Sequence, residues 1–306
     1  MKKTIREVDN EKGILQVTIA DERWYLKSVV NKTTGIPEYL GVPSVTWIAQ
    51  SYPKGIAYFK WLAEKGWDEA EAIKTAAGDK GSKVHQAIEW VMNGIEIRVD
   101  TKMMNRSTGY EEELTLEECD AILSFIKWKE ENKPELIAQE VTVFSENHNY
   151  AGTIDFICKI GEEVWIIDFK TSKYIWPSME LQLSAYKEAI REHAKEVQFL
   201  RVNPDTVKLA ILQVGYPRNK NGYKFTEIED QFPLFQAAQL IWAKEHTGEQ
   251  PTKKDYPIIL SPGTPIEALE AELPQNQPST EEVVYPPELT EEEITPKKNV
   301  KSTRNS

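Results

Sequence analysis

The sequence predicts an α/β protein with a central mixed β-sheet flanked by helices. Three observations carry that expectation. Helical patterns prevail between about residues 54 and 132, strand patterns follow from Leu136, and one amphipathic helix at about 178–192 interrupts the strands. Helices followed by a mostly β centre with one inserted helix make an α/β or α+β domain around one sheet.

In chain order, 14–19 and 24–29 alternate apolar and polar residues and read as an N-terminal hairpin. Helical stretches follow at about 54–65, 68–78 and 81–93, the last stopped by Asn93-Gly94. Thr115 with Glu118 three residues on forms a capping box that opens a helix running to Asn132. Strands are expected at 136–144, 150–159, 163–169 and 207–214, and a last helix at 230–245.

Composition narrows the class. The 306 residues are 40% apolar and include nine Trp, twelve Tyr and nine Phe, enough for a sizeable core. No apolar run nears the ~20 residues that cross a bilayer, so no membrane partner is expected. Cys119 and Cys158 are too few for a four-thiolate zinc or iron–sulfur site. The start, Met1-Lys2-Lys3-Thr4-Ile5-Arg6-Glu7, has no apolar stretch, and the expectation is a cytoplasmic protein without a secretory signal. A net charge of −12 leaves no basic stripe for nucleic acid, so any such contact must be local or bridged by metal ions.

Residues 247–306 hold nine of the seventeen prolines, with 11 acidic and 6 basic residues. Such a segment cannot bury enough apolar surface to offset its ordering entropy, so a disordered C-terminal tail is expected after a domain at 1–246.

The chemistry is concentrated in residues 152–170. Gly161-Glu162 suits a type II′ turn, which pairs residue 160 with 163 and sets Asp155 directly opposite Asp168. Cross-strand Cβ atoms are roughly 4.5–5.5 Å apart. Alternation puts Lys170 on the face of Asp168. An Asp-x-Lys tripeptide alone is common and usually an ordinary ion pair. Two carboxylates facing each other between apolar flanks are costly unless one is protonated or a cation joins them. Hard oxygen donors favour Mg²⁺ or Mn²⁺.

These residues resemble the PD-(D/E)xK nuclease superfamily, and within it the RecB-like exonucleases. That branch includes mitochondrial genome-maintenance exonucleases, Cas4 proteins and phage nucleases. The resemblance spans about residues 40–245. It rests on Gly152-Thr153-Ile154-Asp155, then Asp168-Phe169-Lys170, then Gln182-Leu183-Ser184-Ala185-Tyr186, with Gly81…His85…Glu89 upstream. By spacing alone His85 and Glu89 are merely two residues of one helix face, and such a His is more often a structural or surface residue than a ligand.

The resemblance implies a restriction-endonuclease-like core and a site with named roles. Asp155, Asp168 and Lys170 would be catalytic. His85, Asp155, Asp168 and the Phe169 carbonyl would bind one or two Mg²⁺ or Mn²⁺ ions. Gln182, Tyr186, Thr171, Ser172 and Lys173 would support the site or touch nucleic acid, with Glu89 and Glu140 behind the ligands. Pro43-Ser44-Val45-Thr46 matches a segment near the start of phage and mitochondrial members, although Ser44 or Thr46 could equally cap a helix. With two cysteines, the iron–sulfur cluster of Cas4 relatives is not expected. The implied activity is DNA exonuclease on single strands or ends, in phage or bacterial recombination, replication or repair. These motifs do not separate exonuclease from endonuclease on duplex or branched DNA, or DNA from RNA; against a non-catalytic DNA-binding recombination accessory protein stands the intact set of Asp155, Asp168 and Lys170.

Overall fold

The computed structural model describes residues 3–9, 14–19, 22–30, 37–105, 108–192 and 203–248. Strands β1 (Lys3–Asp9), β2 (Ile14–Ile19), β3 (Glu22–Val30) and β4 (Pro37–Pro43) form an antiparallel meander, wider than the expected hairpin. Helices α1 (Val45–Ala49), α2 (Ile56–Lys65) and α3 (Trp67–Met92) follow. Ser44 caps α1, accepting a hydrogen bond from the Trp47 N–H at 3.1 Å. The expected break between residues 78 and 81 is absent, and α3 runs through Gly78 and Gly81 for 26 residues, roughly 39 Å. Glycine weakens a helix without ending it, and the turns after Gly81 are held by Val84, Ala87 and Ile88, all buried.

A short hairpin, β5 (Lys102–Met104) and β6 (Glu111–Glu113), leads into α4 (Leu116–Asn132). Both hydrogen bonds of the Thr115–Glu118 capping box are formed. Then come β7 (Glu135–Ser145), β8 (Tyr150–Ile160), β9 (Glu163–Lys170), α5 (Pro177–Glu192), β10 (Lys208–Val214), β11 (Tyr223–Ile228) and α6 (Phe232–Glu245). The central sheet has the order β11-β10-β9-β8-β7. Only β9 and β10 are parallel, joined through α5, so the sheet is mixed.

Alternation along the strands builds two cores. Val164, Ile166, Leu209 and Ile211 face α1, α5 and α6, where Leu181, Ala185, Phe235 and Trp242 lie. Trp165, Ile167, Phe169, Ala210 and Leu212 face α3 and α4, against Val84, Ile88, Phe125 and Trp128. This is the helix-flanked, restriction-endonuclease-like architecture expected, with a five-stranded centre. Trp24 of β3 meets Trp47 and Trp242 edge-on, fastening the N-terminal sheet to α1 and α6. Among the described residues, no helix is long and apolar enough to cross a membrane. The expected tail lies outside the described residues from position 249 on.

Candidate active site

The β8–β9 hairpin turns at Gly161, whose φ of 61° is open to glycine. The ladder runs from Ile160↔Glu163 to Phe156↔Ile167, the register expected from the turn, and stops one step short of Asp155 and Asp168. There the Phe169 N–H donates to Asp155 Oδ2 at 2.9 Å, so a side chain accepts the bond. On the other edge of β8, the pairs Gln139↔Phe156 and Val141↔Ile154 set Glu140 across from Asp155. Glu140 has φ 50°, a left-handed conformation that costs a residue with a Cβ roughly 1–2 kcal/mol. Backbone strain and interrupted pairing thus coincide at one point in the sheet.

Three donors from three elements meet there. His85 comes from α3, Glu140 from β7 and Asp155 from β8, with ligand atoms all within 4.8 Å of one another. His85 Nε2–H donates to the Phe169 carbonyl at 2.9 Å, while Nδ1 lies 3.5 Å from Asp155 Oδ2. An imidazole with two carboxylates suits a divalent cation.

Asp168 is held differently. It is 1% exposed; Gln182 Nε2 donates to its Oδ1 at 3.1 Å, and Lys170 Nζ pairs with its Oδ2. Gln182 Nε2 also donates to the Tyr186 hydroxyl at 2.8 Å. Gln182 and Tyr186 are one turn apart on the buried face of α5, so that helix carries a polar arm into the site.

The electrostatics follow from burying these groups together. Burial pushes the Asp168 carboxyl up to about 6, with Asp155 adding to it and the Lys170 ammonium opposing. Burial also acts on Asp155, but His85, Lys170 and the Phe169 N–H hold it below the usual range. Burial would lower His85 and Lys170; their carboxylate neighbours outweigh it and raise both.

The other expected residues lie further out. Thr171 Oγ1 sits beside Gly81 of α3, where a Cβ would come within 3.8 Å. Ser172 Oγ donates to the Tyr174 carbonyl, and the Ser172 carbonyl accepts from Gln213. Lys173 is exposed. Glu89 is half-buried one turn beyond His85, and the donor cluster does not include it. Glu140 stands closer than the outer position expected. The signal was available: Ser145↔Tyr150 at the hairpin end, carried along the strands, puts 140 opposite 155.

Compared with known protein families, residues 57–262 match the PD-(D/E)XK nuclease superfamily. Compared with curated proteins, the chain gives no match.

Proposed function

The chain belongs to the PD-(D/E)XK nuclease superfamily, whose members are metal-dependent, and from that premise we propose a DNA exonuclease of the RecB-like type. The substrate would be a single strand or a duplex end, and the setting recombination, replication or repair in a phage or bacterium. The observation that carries this reading is the meeting of His85, Glu140 and Asp155 at the break in the β8–β9 ladder, with the Asp168–Lys170 pair on the adjoining strand. It is supported by the order of Gly-x-x-Asp, Asp-x-Lys and Gln-x-x-x-Tyr, and by the Gln182–Asp168 bond that joins the last two.

His85, Glu140 and Asp155 would hold the cation, with Asp168 and the Phe169 carbonyl beside them; Mg²⁺ or Mn²⁺ fits this oxygen-rich donor set. When bound, such an ion supplies Lewis-acid stabilisation of phosphate charge and makes water more acidic. Lys170, anchored on Asp168, keeps an ammonium where it can orient a water and meet developing negative charge. Gln182 and Tyr186 fix the Asp168 carboxylate, so it needs no reorganisation when charge builds up.

The test is cleavage of labelled single-stranded DNA in Mg²⁺ or Mn²⁺. The expected result is activity lost in excess EDTA and in Lys170→Ala. Activity that survives either treatment overturns the mechanism. Linear strands should be degraded while closed circles stay intact; cut circles mean an endonuclease, and binding without cleavage means an accessory protein.

A further inference from the structure

The family match begins at residue 57, so the β1–β4 sheet stands outside it. Even so, one strand of that sheet lies along β8. On β3, Lys27, Tyr25 and Arg23 share one face by alternation. Lys27 Nζ pairs with Glu146 at 2.9 Å, beyond the end of β7, and lies 5.6 Å from the Phe144 ring centre. Tyr25 meets the Phe144 ring edge-on, and its hydroxyl is 3.0 Å from Thr153 Oγ1. Stepping from Lys27 to Tyr25 therefore moves the contacts from the end of the β7–β8 hairpin toward Asp155. The next step on β3 is Arg23, and the next on β8 after Thr153 is Asp155.

The backbone at Arg23 is fixed. Its carbonyl accepts the Ser44 N–H at 2.8 Å, and the adjoining Trp24 is 2% exposed among aromatic neighbours. Its side chain is half-buried and forms no ion pair with another described residue. The guanidinium is close enough for Lys170 to feel its like charge. A cation on a fixed backbone, unpaired among the described residues, has its donor fork available for an incoming anion.

We propose that Arg23 is a substrate-phosphate contact, supplied by the N-terminal sheet, that grips the non-bridging oxygens of a phosphodiester beside the one being cut. This rests on the nuclease reading above. It also suits a chain of net charge −12, which must attract nucleic acid through a few well-placed cations. Guanidinium matches two phosphate oxygens at once, which an ammonium does not.

The experiment is steady-state cleavage of a single-stranded oligonucleotide in Mn²⁺ over a range of KCl. Wild type is compared with Arg23→Gln, Arg23→Lys and Lys27→Gln. Arg23→Gln should raise KM about tenfold or more. The slope of log KM against log salt should become shallower by about 0.7, the value for one contact to a single strand. Arg23→Lys should restore the slope but not the full KM, and Lys27→Gln should behave as wild type. Active wild type with an unchanged KM and slope in Arg23→Gln overturns the proposal alone. So does a lowered melting temperature with the salt slope intact in both Arg23 variants, since that marks a structural role. An inactive wild type overturns the nuclease reading and this contact with it.

Discussion

The ring of Tyr186 occupies the space a side chain at Gly152 would need. A Cβ at position 152 would fall 2.5 Å from Tyr186 Cε1 and 3.3 Å from both Tyr186 Cζ and Val45 Cγ2. The glycine three residues before Asp155 therefore does more than ease a strand. It lets α5 approach β8 until the Tyr186 hydroxyl can accept from Gln182, and Gln182 can reach Asp168.

Gly152→Ala is the direct test of that approach. Tyr186 is 3% exposed in a packed core, so its ring can retreat only by pulling α5 from the sheet. The expected cost is about 1–3 kcal/mol of stability, typical of overpacking. A drop in kcat should persist at temperatures where the variant is fully folded, because Asp168 loses its positioning arm. Thermal melts and single-turnover cleavage measure the two effects; wild-type values in both contradict the packing argument.

Much of this geometry is legible in the sequence, for a local reason. A tight hairpin fixes register through its turn, so Gly161-Glu162 sufficed to set the ladder from Ile160↔Glu163 to Phe156↔Ile167, which ends one step short of Asp155 and Asp168. The Thr115–Glu118 cap and the α5 stripe are equally local. What escapes such reasoning is contact between distant segments: the place of β1 and β4 in the N-terminal sheet, and the bearing of Arg23 on the site. The strained φ of Glu140 is likewise a tertiary effect, imposed where β7 and β8 lose their pairing. β11 is a different case. Its Tyr223, Phe225 and Ile228 are interspersed with polar residues, a visible strand pattern, although no strand is expected between Val214 and the helix at 230–245.

Glu140 invites a pair of substitutions that separate backbone from ligand. Glu140→Gln keeps the side-chain shape and removes the charge; Glu140→Gly suits the φ of 50° and removes the donor altogether. Both should need roughly 10–100-fold more Mn²⁺ for half-maximal stabilisation. In the metal-free protein Glu140→Gly should be more stable than Glu140→Gln, since only the glycine relieves the backbone strain. An unchanged Mn²⁺ titration in both variants would remove Glu140 from the ligand set.

The domain boundary proposed at residue 246 can be tested by truncation. Trp242 is 9% exposed and stacks on His246, so the packed chain continues at least that far. The family match extends to residue 262. Chains ending after Gly248 and after Pro262 should both melt like the full protein and keep metal-dependent cleavage. A chain that unfolds when cut after Gly248 but not after Pro262 would move the boundary downstream.

Metal and protons should compete at Asp168, in a direction the linkage rules fix. Its folded-state value of about 6 lies above the ordinary ~3.9 of an unfolded chain, so the native state holds the proton more tightly. Its contribution to stability is therefore fully present below about pH 4, is lost as pH rises through about 6, and stays lost above. Asp155 has the opposite sign: its value is lowered, so its contribution is present above the unfolded value and lost on acidification. A cation can replace the missing proton only where the carboxylate is ionised and His85, whose value is raised, has shed its own proton. Mn²⁺ should thus raise the melting temperature strongly at pH 7.5 and hardly at pH 5. At a hundredfold excess over Kd the stabilisation amounts to about 2.7 kcal/mol. Asp168→Asn should make the metal-free protein more stable than wild type at pH 7.5, by more than at pH 4.5, and should weaken the Mn²⁺ response. Equal Mn²⁺ shifts at pH 5 and pH 7.5, in wild type, would mean that the cation sits away from this carboxylate.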